Sequence, residues 1–190
     1  MMKAEDYETF RSIQVVRCTM DDWDAVWTLY NGVIQAGQQA GRMVWQQMDR
    51  SALEQDLHEG RLLKLVQSGT LIGACCYQLE DPLIWGAYED GRGLYLHRMA
   101  RRQPAHDSVP VFPVILSWAG RYAASMGREA IRLDTWSANT GLIAYYRAHG
   151  FAVVGTRHTG DDARLPLQNR NLQVTLLEKT LDNPINLSSL

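Results

Sequence analysis

The sequence predicts a single α/β domain of about seven strands and about four helices. Residues 131–136 alternate between two faces and are rich in β-forming side chains, which predicts a strand. A polar turn and a short helical pattern follow, and Gly150 stands where a helix commonly ends. Two further runs, 62–67 and 71–78, flank Ser68-Gly69 as the arms of a hairpin do. Strand patterns interspersed with helical ones are typical of the α/β class.

The chain begins with a predicted strand over 13–18 and a helix after it. Asp21 and Asp22 favour a helix start because they place negative charge at the positive end of the helix dipole. Apolar residues then recur at helical spacing, namely Trp23, Val26, Trp27, Tyr30, Val33 and Ile34. A polar loop bracketed by Gly37 and Gly41 ends this helix.

A second helix, capped by Asp49 or Ser51 and ended by Gly60, leads into the hairpin. After the hairpin, Pro82 breaks the strand pattern, and 85–91 is expected to be a loop. The next strand covers 94–100. Strict alternation there places one set of side chains on one face and the other set on the opposite face: Tyr95, His97 and Met99 against Leu94, Leu96 and Arg98.

The second half of the chain predicts one long helix and three strands. The helix covers 109–126, and its apolar stripe consists of Val111, Val114, Ile115, Trp118 and Tyr122. After the strand–turn–helix unit come strands over 151–156 and 172–177, separated by a polar loop. The domain is expected to cover 12–181, with tails at 1–11 and 182–190.

Composition excludes several classes of protein. The formal net charge of −2 gives no overall attraction to nucleic acid or to an anionic membrane. No apolar run approaches the roughly 20 residues of a membrane span, and the first ten residues are too polar and acidic for a signal peptide. Cys18, Cys75 and Cys76 are odd in number and lack metal-ligand spacing, which predicts core thiols in a reducing cytoplasm and no metal site.

The strand–turn–helix unit resembles the C-terminal signature of the GNAT acyltransferases (Gcn5-related N-acetyltransferases). Asn139, Tyr146 and the pair Gly150-Phe151 carry the resemblance, together with the runs 94–100 and 115–119. The resemblance implies a mixed, mostly antiparallel central sheet. It also implies that acetyl-coenzyme A binds in a V-shaped opening between two neighbouring strands.

By this resemblance, Tyr146 is the general acid that protonates the departing thiolate, and Asn139 binds the pantetheine arm. A phenol with a pKa of about 10 stays protonated at neutral pH, and a thiolate of parent pKa about 8.5 accepts its proton readily. Both residues also have a purely structural interpretation. Tyr146 can pack beneath the sheet, and Asn139 can cap the helix that follows it.

The remaining catalytic groups are less well defined. A backbone N–H near Met99 is expected to bind the carbonyl oxygen, whose negative charge grows during the reaction. No side chain stands out as the general base: the candidates near the opening are Glu80, Asp81, Glu89, Asp90 and His97. A local ion pair with Arg132 accounts for Asp134 without any catalysis.

The pyrophosphate site departs from the GNAT pattern. That family has a glycine-rich turn after its fourth strand, whereas 101–113 here contains no glycine and three prolines. Asp107 or Ser108 can cap the following helix, and a carboxylate at that position would repel pyrophosphate. Arg101, Arg102 and His106 can compensate through their charge, so the predicted cofactor-binding residues are Met99, Arg101, Arg102, His106, Ser108, Asn139 and Tyr146.

These observations support an acetyl-coenzyme A-dependent N-acetyltransferase whose acceptor is a small-molecule amine or a peptide amine. One alternative is a non-catalytic GNAT-fold binding module with a degenerate pyrophosphate loop. Another is an enzyme that uses a different donor. The resemblance assigns acceptor choice to the loops over 37–47, 79–93 and 157–171, which carry no recognisable motif. Pairing of the last strand with a second copy would give a homodimer.

Overall fold

A computed structural model describes residues 12–102 and 111–181. Seven β-strands lie within these ranges: β1 (Ile13–Arg17), β2 (Leu62–Gln67), β3 (Thr70–Gln78), β4 (Gly93–Arg101), β5 (Ala130–Trp136), β6 (Ala152–His158) and β7 (Gln173–Thr180). Five α-helices accompany them: α1 (Trp23–Gln39), α2 (Arg50–His58), α3 (Pro82–Trp85), α4 (Val111–Ser125) and α5 (Thr140–Ala148). The predicted α/β class with seven strands is confirmed.

The strands form one sheet in the order β1-β2-β3-β4-β5-β7-β6. Every neighbouring pair is antiparallel except β4 and β5, which run parallel. The predicted mixed, mostly antiparallel sheet is therefore confirmed. Membrane spans are absent from the described ranges, where no helix is both long and apolar enough to cross a bilayer.

Apolar side chains cover both faces of the sheet. One face packs against α4 and α5, through residues such as Ile115 and Tyr146. The other face packs against α1 and α2, through residues such as Tyr30 and Leu53. Cys75 and Cys76 are both buried, and they lie in different clusters because successive strand residues point to opposite faces.

Two local expectations were wrong. Helix α1 continues to Gln39, so Gly37 lies in its last turn and not in a loop. A Cβ atom at Gly37 would lie 2.7 Å from Cγ1 of Val44, so the chain returns closely past this position. The loop expected over 85–91 was wrong in part: Trp85 ends the one-turn helix α3, which was not predicted, and Gly86–Tyr88 forms a 3-10 turn. Asp81 caps α3 by accepting a hydrogen bond from the N–H of Ile84.

A β-bulge interrupts β4. Ala74 pairs with Ala100, but Cys76 pairs with His97, so β4 holds one residue more than β3 between these two pairs. Arg98 lies in the bulge with a φ of +49°, which is rare for a residue with a Cβ atom. The predicted alternation is therefore wrong beyond His97: Met99 packs with the cluster of Leu96, and Arg98 lies on the opposite side.

The parallel strands β4 and β5 separate shortly after they meet. They pair only over 93–95 and 130–132. Beyond these residues β4 bulges away, and β5 continues beside β7 as far as Trp136. The divergence opens a gap in the sheet between the second halves of the two strands.

Candidate active site

The gap between β4 and β5 contains a cavity of about 220 Å³, called the first cavity here. Its walls come from β4 (Leu96 to Met99), from β5 (Asp134 to Trp136), from α5 and from the segment after α1. Met43, Val44 and Trp45 line it on the last of these sides. The fold therefore places a partly open cavity where two parallel strands diverge.

Tyr146 lies in the wall of the first cavity. It is 6% exposed, and its ring packs against Phe112 and Phe151. No described residue donates a hydrogen bond to its hydroxyl or accepts one from it. Burial, together with the nearby charge of Asp134, raises the pKa of Tyr146 above its usual value near 10. Tyr146 thus lines the cavity as a protonated phenol whose ring also packs in the core.

Asn139 has the structural role that was one of its two interpretations. It is the N-cap of α5, where its Oδ1 accepts a hydrogen bond of 3.1 Å from the N–H of Leu142. The residue also lines the first cavity. The amide nitrogen of its side chain is not used in the cap, which leaves a donor for another group.

The other predicted cofactor-binding residues are spread along the end of β4. Met99 lines the first cavity directly after the bulge residue. Arg101 ends β4, close enough to Tyr145 for its charge to lower the pKa of that phenol, although burial raises it overall. The guanidinium of Arg102 donates to the carbonyl oxygen of Leu71 at 3.2 Å. His106 and Ser108, like Asp107, lie outside the described residues.

A buried cluster of three ionisable groups stands beside the first cavity. Nε2 of His97 lies 3.4 Å from Oδ2 of Asp81, and Nδ1 of His97 lies 3.6 Å from Oδ1 of Asp134. Asp81 and His97 are 6% and 8% exposed. One side-chain donor atom of each residue lies within 4.8 Å of the others. The imidazole is therefore held between two carboxylates.

The ionisation of this cluster departs from ordinary values. Burial raises the pKa of Asp81 to about 6, and the charge of Asp134 adds to the effect while that of His97 opposes it. Burial by itself lowers the pKa of His97, but the neighbouring carboxylates of Asp134 and Asp81 outweigh it and raise that pKa overall. Asp81 and His97 thus each hold a proton at a higher pH than they would in water.

The structure separates the five candidate general bases. Asp81 and His97 form the cluster, whereas Glu80 is exposed. Oε2 of Glu89 accepts a hydrogen bond of 2.7 Å from the N–H of Asp81. Asp90 forms an ion pair with Arg132 at 2.8 Å, and that guanidinium holds the pKa of Asp90 well below its usual range.

Asp134 was not among the candidate bases, and the expected ion pair with Arg132 was wrong. Arg132 binds Asp90 and Glu178 instead. The true neighbour of Asp134 is His97, and the register of the two parallel strands would have predicted it. Tyr95 pairs with Arg132 in that register, and His97 and Asp134 each lie two residues further along their strands.

A second cavity, of about 170 Å³, also has His97 in its wall. Its walls are largely polar and come from α2, the α3 region and the loop before β7, with Asp56, Asp81 and Asn169 among them. His97 and Arg98 line both cavities. The loop is anchored to the start of α2, because Oδ2 of Asp49 accepts from the N–H of Leu167 at 3.0 Å.

Many solved structures share the fold of this chain, whereas comparisons of its sequence find no match. No protein-family model matches the sequence, and neither does any curated protein sequence. A GNAT-family acetyltransferase from Listeria monocytogenes is similar with a TM-score of 0.71 and 19% identity, covering 89% of this chain and 95% of that one. The ribosomal-protein-S18-alanine N-acetyltransferase of Escherichia coli gives 0.61 and 13%, covering 92% and 98%.

A putative acetyltransferase from Salmonella typhimurium, whose structure contains its cofactor acetyl-coenzyme A, is also similar. Its TM-score is 0.60 and its identity 15%, with 94% of this chain and 99% of that chain covered. At identities this low, the similarities show a shared fold and do not show a shared reaction. The sheet order, the diverging parallel strands and these three similarities together show that the chain has the fold of the GNAT acetyltransferases.

Proposed function

We propose that this chain is an N-acetyltransferase that moves an acetyl group from acetyl-coenzyme A to an amine. The observation that carries the proposal is the first cavity, which Tyr146 and the N-cap Asn139 both line where β4 and β5 diverge. Three features that acyl transfer needs would then be present in its wall. Tyr146 would be the acid, Asn139 would bind the donor, and the backbone after the bulge in β4 would bind the carbonyl oxygen.

Tyr146 is proposed as the general acid. When the thioester C–S bond breaks, the sulfur leaves as a thiolate that needs a proton. The raised pKa of Tyr146 keeps its hydroxyl protonated at neutral pH, as a proton donor must be. Because no described residue binds this hydroxyl, its proton is available to a group in the cavity.

The bulge in β4 supports the predicted oxyanion site near Met99. A bulge removes residues from the regular hydrogen-bond ladder and so leaves backbone groups without a strand partner. Met99 follows the bulge residue Arg98 and lines the first cavity. A backbone N–H at this point would meet a thioester carbonyl placed between the diverging strands, and it would stabilise the negative charge that develops there.

Asn139, Arg101 and Arg102 are proposed to bind the rest of the donor. The amide nitrogen of Asn139 would donate to a carbonyl oxygen of the pantetheine arm while its Oδ1 caps α5. The two arginines at the end of β4 supply positive charge for the pyrophosphate, and His106 and Ser108 are assigned to the same group from the sequence. Charge would then replace the glycine-rich turn that 101–113 lacks.

A non-catalytic binding module is the second candidate, and the glycine-free segment 101–113 favours it. Isothermal titration with acetyl-coenzyme A and with free coenzyme A separates the two candidates. Micromolar binding, followed by acetylation of an amine, is the result expected of the enzyme. The absence of heat at millimolar ligand would exclude acetyl-coenzyme A as the donor and favour the binding module.

A further inference from the structure

The Asp81–His97–Asp134 cluster joins the two cavities. Asp134 lines the first cavity together with Tyr146, and Asp81 lines the second. His97 stands between them and lines both. The two cavities therefore share His97 as a common wall residue, and a group bound in the second one lies next to this imidazole.

Two atoms of the cluster are buried without a hydrogen-bond partner in the described part of the chain. They are Oδ2 of Asp81 and Nε2 of His97, which face each other at 3.4 Å. An unpaired buried polar atom destabilises the folded state, and it calls for a ligand or a function. Both atoms belong to residues that line the second cavity.

We propose that Asp81, His97 and Asp134 form the proton-accepting centre of the acyl transfer, and that the second cavity receives a small primary amine in its ammonium form. The inference rests on the proposed function. The ammonium group supplies the hydrogen-bond donors that Oδ2 of Asp81 and Nε2 of His97 lack. One of its protons then passes to the cluster. The polar lining of the cavity matches a small polar amine and does not suit an apolar one.

The proton balance of the reaction is complete with these groups. One N–H bond of the ammonium breaks, its proton goes to the cluster, and the nitrogen lone pair forms the N–C bond to the thioester carbonyl. The C–S bond then breaks, and the thiolate takes the proton of Tyr146. The phenolate of Tyr146 regains a proton from the protonated nitrogen of the newly formed amide, and the cluster releases its proton to solvent.

The charged surroundings of the cluster come from several elements. The charge of Glu89, before β4, raises the pKa of Asp81, and the charge of Asp134 raises that of Tyr146 on α5. Arg61, before β2, lowers the pKa of His97 by its charge, whereas the two carboxylates raise it. Arg98 is occupied by the buried carboxylate of Asp56. The carboxylates outweigh the arginines, so the imidazole is a stronger base than a free one.

The geometry favours a proton over a divalent cation. A metal ion needs one imidazole nitrogen and both carboxylates around a single point. Here the two carboxylates approach different ring nitrogens, at 3.4 Å and 3.6 Å. A neutral imidazole in this arrangement can accept a proton, because the carboxylate near each ring nitrogen stabilises the imidazolium that forms.

The test compares the wild type with His97→Gln, Asp81→Asn and the control His58→Gln, which lies at the exposed end of α2. Titration of acetyl-coenzyme A comes first, because a wild type that binds no donor would refute the proposed function itself. Glycine, ethanolamine and 1,3-diaminopropane are then offered as acceptors. Donor binding without acetylation of any of the three would overturn the small-amine assignment.

With an acetylated amine, His97→Gln is expected to lower kcat/KM at neutral pH about 10²–10⁴-fold. The loss should shrink at high pH, where the amine loses its proton without help. Asp81→Asn keeps the oxygen that caps α3, and its acidic limb of kcat/KM should move to lower pH because His97 loses a neighbouring charge. A loss of equal size at every pH would show a structural role and overturn the inference, provided that donor binding is unchanged.

Two further measurements complete the test. Urea unfolding of each variant shows whether it is folded, and the NMR titration of histidine-labelled wild type follows His97 directly. The His97 signal should shift on addition of ethanolamine, whereas that of His58 should not. Inhibition by a chelator with recovery on adding Zn²⁺ would assign the cluster to a metal and overturn the proton-accepting role.

Discussion

The hydroxyl of Tyr30, on α1, donates a hydrogen bond of 2.8 Å to the carbonyl oxygen of Arg98 in the β4 bulge. Tyr30 is fully buried, and the guanidinium of Arg98 is bound by Asp56 of α2. Two helices on one face of the sheet therefore hold the backbone and the side chain of the residue with positive φ. A residue in that conformation costs about 1–3 kcal/mol, so the bulge depends on such contacts. The bulge in turn opens the first cavity.

Tyr30→Phe should weaken the bulge without changing the packing of the ring. The carbonyl of Arg98 loses its buried donor, and we expect a loss of about 1–3 kcal/mol in the free energy of unfolding. Urea denaturation measures it. Tyr122→Phe is the control, because its hydroxyl makes longer bonds of 3.3 and 3.4 Å to Tyr77 and Arg17. Equal losses in the two variants would contradict a special role for the Tyr30 bond.

Asp56→Asn tests the ion pair that holds the side chain of Arg98 in the bulge. The side chains of Asp56 and Arg98 are 1% and 6% exposed, so the substitution leaves a buried guanidinium without its countercharge. We expect a loss of about 3–5 kcal/mol in the free energy of unfolding. Glu54→Gln removes the partner of Arg50 on the exposed surface and should cost less than about 1 kcal/mol. Chemical denaturation of both variants at one pH makes the comparison.

Asn139 is predicted to have two separable roles. Asn139→Ala removes the N-cap of α5 and should lower the free energy of unfolding by about 1 kcal/mol. Asn139→Asp keeps an oxygen for the N–H of Leu142 and should retain stability. Asp has no amide nitrogen, so acetyl-coenzyme A should bind this variant more weakly in a calorimetric titration. Unchanged affinity in Asn139→Asp would leave capping as the whole role of the residue.

Tyr146→Phe removes only the proposed acid. We expect kcat to fall about 10²–10⁴-fold, with little change in the free energy of unfolding because no described residue binds the hydroxyl. Tyr145→Phe is the matched control, since Tyr145 is adjacent in sequence and 42% exposed. Steady-state assays that compare kcat of the two variants with that of the wild type make the measurement. A normal rate in Tyr146→Phe would remove this residue from the reaction.

Local signals in the sequence predicted most of the fold. The unit from β5 to Phe151 follows from alternation, an N-capping asparagine and a terminal glycine, all of which act over a few residues. The fold also confirms the hairpin of β2 and β3. Helix α3 was missed because Pro82 was interpreted only as a breaker. Proline is also favoured in the first turn of a helix, directly after a capping residue such as Asp81.

The site was harder to predict because it depends on contacts between distant segments. Alternation in β4 could not reveal the bulge, whose positive φ is stabilised by Tyr30, 68 residues away in sequence. The pairing of His97 with Asp134 requires the register of two parallel strands, which no local pattern contains. Tyr146 and Asn139 were predicted through a resemblance to a family, and the fold places both at one cavity.

The pH dependence of stability should reveal the buried cluster independently of any activity. The pKa of Asp81 is raised to about 6, and that of His97 is raised as well. These two residues therefore bind more protons in the folded state than in the unfolded state, from the ordinary pKa of Asp81 up to the raised pKa of His97. Their contribution to stability falls as the pH rises through this window, by at most about 1.4 kcal/mol per pH unit for each proton.

Asp81→Asn should make this slope shallower, because it removes one titrating group and one charge that raises the pKa of His97. The measurement is the free energy of unfolding in urea at several pH values between 4 and 9. Asp161→Asn, at an exposed position in the loop before β7, is the control and should follow the wild type. If Asp81→Asn and the wild type show the same slope, the two groups do not hold extra protons in the folded state. His97 could then not serve as the strengthened base that the cluster geometry implies.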